Sequence, residues 1–135
     1  MQYKNIIRIL GLLVALLSVT MLPPALISLV YRDGAGLPFL LAFLWCVFTG
    51  FIAWYPNRYE KTDLKAREGF LIVVLFWLVL ASFSAIPLML LETPNLSKTD
   101  ALFESFSGLT TTGATILTHI DDLPHAVLWY RQQLQ

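Results

Sequence analysis

Apolar positions along this chain fall into long blocks, not into a fine alternation with polar ones. Three uncharged runs stand out: Ile9 to Tyr31, Leu37 to Tyr55 and Phe70 to Leu91. Each has the length of a membrane-crossing helix. At the helical rise, the run from Leu37 would reach ~28 Å, close to one hydrocarbon core. Pro23 and Pro24 near the end of the first run remove two amide donors, and a kink or early end is expected there. Pro87 is expected to bend the last turn of the third run. Polar blocks separate the runs. Arg32-Asp33-Gly34-Ala35-Gly36 reads as a turn, and Pro56 to Gly69 as a charged loop with Arg58, Lys61, Lys65 and Arg67 among Glu60, Asp63 and Glu68.

After Leu91 the pattern changes. The next possible spanning start is Pro124 to Gln135, and the intervening connection is unusually long for a structureless loop. Within it, Ser97-x-x-Asp100 has the form of a capping box, followed by Ala101, Leu102, Phe103, Phe106 and Leu109 at helical spacing. A helix from Thr99 to Leu109 would be ~16 Å long, about half a bilayer. Five extended residues from Thr111 to Thr115 would rise ~16 Å again. The matched lengths predict a half-helix into the membrane and an extended return to the same side, with a surface helix and polar loop as the plainer alternative. Non-helical backbone at membrane depth must lie inside protein or along a watery cavity. Thr110, Thr111, Thr112 and Thr115 offer hydroxyls and carbonyls, and Gly113 offers conformations closed to other residues. Such carbonyls can replace a cation's hydration shell, and the negative end of the half-helix near Leu109 would favour one.

Composition agrees with a membrane protein. Hydrophobic residues make up 57% and charged residues 13%, against about 45–50% and 25% in soluble domains. The first run exceeds the apolar core of a signal peptide and lacks a closing small-x-small site, so it reads as an anchored helix. The net charge of zero implies no bulk attraction to nucleic acid. Cys46, the single cysteine, reads as a small buried hydrophobe. P-loop, GxGxxG and HExxH patterns are missing. The apolar spans hold no interior Asp, Glu, His or Lys to act as acid, base or nucleophile, which argues against an enzyme. His119 and His125 have no further nitrogen or sulfur ligand near them in sequence and do not predict a zinc site. Glu104 should face protein, water or a partner, because a charge at bilayer centre is costly; packing of the half-helix is its expected role.

Lysine and arginine placement sets the orientation. Lys4, Arg8, Arg58, Lys61, Lys65 and Arg67 fall on one side, and Arg32 and Lys98 on the other. The N-terminus and the charged loop are therefore expected in the cytoplasm. Asp33, Glu92, Asp100, Asp121 and Asp122 would then give an acidic outer face that concentrates cations.

The run Phe103-Glu104-Ser105-Phe106-Ser107-Gly108-Leu109-Thr110-Thr111-Thr112-Gly113-Ala114-Thr115 resembles the first pore loop of the Trk/Ktr potassium transporters, most closely the bacterial TrkH-type membrane subunit. Gly69-Phe70-Leu71-Ile72-Val73-Val74 and Trp129-Tyr130-Arg131-Gln132 are also similar to that family. The resemblance implies potassium uptake across the bacterial inner (cytoplasmic) membrane, by a multi-pass protein in contact with lipid. It implies filter carbonyls at Thr111, Thr112, Gly113 and Ala114, with potassium at Thr111 and Thr112 and flanking candidates Thr110 and Thr115. The transported ion is K+, and no covalently bound cofactor is implied. A single glycine in this filter implies fewer ion sites and weaker discrimination among alkali cations. The family subunit forms a homodimer and docks a cytosolic nucleotide-binding regulatory subunit; both partners are implied only by resemblance.

The expected fold is an all-α integral membrane protein: three transmembrane helices, a re-entrant pore helix, an extended filter loop and the start of a further helix. Residues 1–66 would hold two N-terminal helices and the basic loop, and residues 67–135 the first helix–pore loop–helix repeat, incomplete. The family builds its pore from four such repeats, so the chain is expected to be an N-terminal portion of a longer product or a truncated gene, and conduction by it alone is not expected. The competing reading is a small membrane interaction or regulatory protein that assembles with a complete transporter and does not conduct.

Overall fold

The structure is a computed structural model that describes residues 3–32, 34, 36–59, 63–91, 96–118 and 120–135. Every regular element among them is helical: α1 (Tyr3–Val19), α2 (Leu22–Tyr31), α3 (Gly36–Trp54), α4 (Ala66–Ser84), α5 (Ile86–Leu90), α6 (Lys98–Leu109) and α7 (His125–Leu134), with 3-10 turns at Tyr55–Asn57 and Ile120–Asp122. Three stretches are long and apolar enough to cross a membrane: Tyr3–Tyr31, Gly36–Asn57 and Ala66–Leu90, of 29, 22 and 25 residues.

Two of these differ at their starts from the sequence expectation. The first helical stretch begins at Tyr3, six residues before the uncharged run, because Lys4, Asn5 and Arg8 extend the helix into its polar flank. The third begins at Ala66, inside what reads as a charged loop. Glu68 makes that start possible: its carboxylate accepts the Lys65 amide at 3.1 Å, satisfying a donor at the helix entry.

Proline interrupts two spans where expected. Pro23 and Pro24 sit in the first turn of α2, where absent amides cost little. The cost falls upstream, where α1 has ended and Thr20 turns its hydroxyl onto the Leu17 carbonyl at 2.6 Å. Pro87 likewise stands in the first turn of α5 and separates it from α4 at Ala85.

α1 and α3 pack closely. A methyl added to Gly11 would lie 2.7 Å from the Ala53 Cβ and 2.9 Å from the Gly50 carbonyl oxygen, and one added to Gly50 would lie 2.8 Å from the Gly11 carbonyl oxygen. Small residues let two backbones approach this far, which matters where lipid supplies no hydrophobic drive. The antiparallel contact sets the polar start of α1 beside the end of α3. There the Arg58 guanidinium lies 4.4 Å from the Tyr55 ring centre and 4.6 Å from that of Tyr59. The core lies between α3, α5 and α7: Phe39, Ala42 and Cys46 bury against Ala85, Leu88, Val127 and Tyr130. Phe39 and Tyr130 meet edge to face at 5.0 Å. Much of the remaining apolar surface is exposed, as on the α3 face carrying Leu41, Leu44, Trp45 and Phe48.

Candidate functional site

α6 starts as its sequence predicts. The Ser97 hydroxyl accepts the Asp100 amide at 3.2 Å, and the helix runs to Leu109, ~18 Å and too short to span. It packs back against the third span. The Ser105 hydroxyl donates to the Ala81 carbonyl at 2.6 Å, and Ala81 lies ~14 Å of helical rise inside the end of that span at Leu90. Ser105 also bonds Ser84, and the Tyr130 hydroxyl of α7 donates to the Ser84 carbonyl at 2.6 Å. All three side chains are fully buried. The Ser84 carbonyl beside the Pro87 break is thus satisfied by the Tyr130 hydroxyl, while the Ala81 carbonyl takes the Ser105 hydroxyl in addition to the Ala85 amide.

The end of α6 departs from the expected extended return. Thr111 has φ 56° and Gly113 has φ 76°, both left-handed, so Thr111 to Thr115 is not a continuous extended strand. Helix-capping physics explains the difference. The Thr111 amide donates to Gly108 and the Thr112 amide to Ser107, each at 3.0 Å. That pair of bonds is a Schellman cap, which requires a left-handed residue after the C-cap. Thr110 is that C-cap; its hydroxyl donates to the Phe106 carbonyl at 2.6 Å and shares a hydrogen with Thr112 at 2.8 Å. The carbonyls of Phe106, Ser107 and Gly108 are used internally, so the negative end of the helix is reduced mainly to Leu109.

Past the cap, two side chains of α6 hold the segment. The Ser107 hydroxyl donates to the Ala114 carbonyl at 2.6 Å. Glu104 is buried, and its Oε1 accepts both the Thr115 hydroxyl and the Ile116 amide at 2.6 Å. Its Oε2 faces Arg131 Nε of α7 at 3.5 Å. The carbonyls of Thr111, Thr112 and Gly113 take part in none of these bonds. Ala114 differs from them, since its carbonyl is tied to the helix behind. Residues Thr110 to Ile116 are exposed along the surface of the chain.

Elsewhere, His125 stacks on Tyr31 with ring centres 4.2 Å apart, linking α7 to α2. Asp121 and Asp122 are exposed in the second 3-10 turn and Asp100 is half-buried. His119, Asp33, Glu92, Glu60 and Lys61 lie outside the described residues.

The sequence profile of the TrkH family, described as cation transport protein, matches residues 36–135. The chain belongs to the TrkH family. It is 59% identical over 135 residues to the Trk system potassium uptake protein TrkH of Vibrio parahaemolyticus and 60% identical over the same length to that of Salmonella typhimurium. In both cases all of this chain is covered and 28% of the relative. Among solved structures, the crystal structure of the potassium transporter TrkH from Vibrio parahaemolyticus matches with a TM-score of 0.95 at 59% identity, covering 99% of this chain and 29% of that one. The chain thus spans somewhat over a quarter of the length of these TrkH-family proteins.

Within this TrkH-family chain, sequence reasoning missed three participants: Ser107, Arg131 and the Ser84–Ser105–Tyr130 group. A signal existed for one of them. Glu104 follows Ala101-Leu102-Phe103 and Arg131 follows Ala126 to Tyr130, and opposite charges set among apolar residues pair or face water.

Proposed function

We propose that this chain supplies one wall of a potassium-uptake path, formed by the backbone from Thr110 to Thr115. The single observation that carries the reading is the set of carbonyls at Thr111, Thr112 and Gly113, which have no hydrogen-bond role among the described residues while the flanking residues are anchored to α6. Unpaired main-chain oxygens at membrane depth are unfavourable unless a ligand meets them, and a partly dehydrated cation does so. The depth is inferred from Ser105, which reaches Ala81 well inside the third span. We assign the ion contacts to Thr111, Thr112 and Gly113, with Thr110 and Thr115 flanking. Ala114 contributes less than the family pattern implies, because Ser107 occupies one side of its carbonyl.

The membrane is proposed to be the bacterial inner membrane, with the N-terminus in the cytoplasm. The α1–α3 contact supports this by gathering Lys4 and Arg8 at the end that carries Arg58, with Lys65 and Arg67 following at the α4 start. Residues 1–66 serve as the supporting pair of spans, and residues 67–135 as a helix–pore loop–helix unit. Self-association and docking of a cytosolic nucleotide-binding regulatory subunit are carried by family resemblance alone.

The test is potassium uptake by the intact transporter carrying this segment, in cells that lack other uptake systems and grow at limiting potassium. Gly113→Ala forces a side chain onto a left-handed residue, which costs about 1–2 kcal/mol, so uptake should fall roughly tenfold. Undiminished uptake and unchanged ion preference in Gly113→Ala would remove the segment from the ion path.

A further inference from the structure

Two opposite charges stand in otherwise apolar surroundings, Glu104 on α6 and Arg131 on α7. Their side chains are 3% and 17% exposed. Around them Leu88, Leu117, Val127 and Leu134 leave a void of only ≈ 10 Å³, about the size of one water. Burying a carboxylate is costly, and a helix is held together just as well by an apolar residue of similar volume. The placement of this pair therefore calls for a reason beyond packing.

The carboxylate does two things at once. Oε1 receives the Thr115 hydroxyl and the Ile116 amide, and Oε2 receives the Arg131 guanidinium. At the other end of the segment, the Ser107 carbonyl receives the Thr112 amide and its hydroxyl donates to Ala114. Residues Thr112 to Thr115 are thus strung between two anchors on one helix. The second anchor is itself oriented by α7. α7 approaches α6 closely here, since a methyl on Gly108 would lie 2.9 Å from the Leu134 Cβ. The position of α7 reaches Thr115 and Ile116 through the Glu104 carboxylate.

We propose that Glu104 and Arg131 are positioning residues that set the spacing of the carbonyls from Thr111 to Thr115, and so determine how well the path separates potassium from sodium. This rests on the ion-path reading of that segment. The ion does not touch either residue. Arg131 aims the carboxylate, and the carboxylate holds the backbone of Thr115 and Ile116 against α6. Loss of the guanidinium leaves the buried carboxylate without its charged partner, free to turn or to draw in water. Either change alters the acceptor that Thr115 and Ile116 share, and the carbonyls upstream lose their fixed spacing.

The experiment is competition of sodium against potassium uptake in the intact transporter, with Glu104→Gln, Arg131→Gln, Arg131→Lys and the Glu104→Gln/Arg131→Gln double variant beside Gly113→Ala. Arg131→Gln should lower the preference for potassium roughly tenfold, the scale of one lost charge-assisted hydrogen bond. Glu104→Gln should shift it in the same direction. The double variant should lie closer to the unmodified protein than either single one, because the glutamine amide oxygen still serves Ile116 and neither charge is left alone. Arg131→Lys, which keeps the charge, should stay within about twofold. A purely structural pair would lower the amount of folded transporter in each single variant and leave the ion preference unchanged, which overturns the proposal. If Arg131→Gln does not accumulate, Glu104→Gln decides alone, and an unchanged preference there has the same force. Should Gly113→Ala shift the preference while neither charge variant does, only the positioning role falls. Should Gly113→Ala leave it unmoved as well, the ion-path reading falls and the proposal with it.

Discussion

The α1–α3 pair and the α4–α7 cluster reach the same apolar environment by opposite means. Between α1 and α3 there is little to bond with, and the backbones come together because Gly11 and Gly50 offer no side chain. Contact there is a matter of shape. Between α4, α5, α6 and α7 the backbone is interrupted, and buried hydroxyls from Ser84, Ser105 and Tyr130 join the helices, the last of them meeting the carbonyl left open at Ser84. Contact there is a matter of donors and acceptors. The contrast follows from duty. Two regular helices that meet away from any break leave no carbonyls open at their contact and need only close packing. A region that breaks a helix and folds a short one back against it must account for each freed group.

The sharpest way to break this contrast is to add volume where shape rules. Gly11→Val should destabilise the chain by about 1–3 kcal/mol, since the added atoms meet Ala53 and the Gly50 carbonyl with no room to shift; a lowered thermal midpoint in detergent micelles would register it. Removal of one oxygen should do less damage but only in the other region. Tyr130→Phe leaves the Ser84 carbonyl without its donor, an expected loss of about 1–2 kcal/mol by the same measurement, with helix content retained in circular dichroism. Ser105→Ala should cost least, about 0.6 kcal/mol, because Ala81 keeps the Ala85 amide and Ser84 keeps Leu80. An inverted order, with Ser105→Ala worse than Gly11→Val, would dissolve the distinction between the two regions.

The sequence read best where one residue acts on its near neighbours. Ser97 caps α6 from three positions away, Pro23, Pro24 and Pro87 act on their own turns, and the three spans follow from block length. It read poorly where partners are remote. Glu104 meets Thr115 and Ile116 eleven and twelve residues on, and Arg131 further still, so no local pattern names them. Tyr130 reaches Ser84 across 46 positions. The return segment departs from a continuous strand for a different reason. Threonine has a high strand preference, but the unsatisfied carbonyls at the end of α6 impose their own geometry on the next two residues, and that demand outweighs propensity.

Thr111 bears the result of that demand. A β-branched residue is a poor tenant of the left-handed region, at a cost of roughly 1–2 kcal/mol. Its own amide bond to Gly108 and the Thr112 amide bond to Ser107 hold it there. Were both to let go, the residue would relax to a right-handed or extended torsion, and the flanking peptide planes would swing with it. The two amide bonds thus offset the strain of the one residue on which the whole turn pivots.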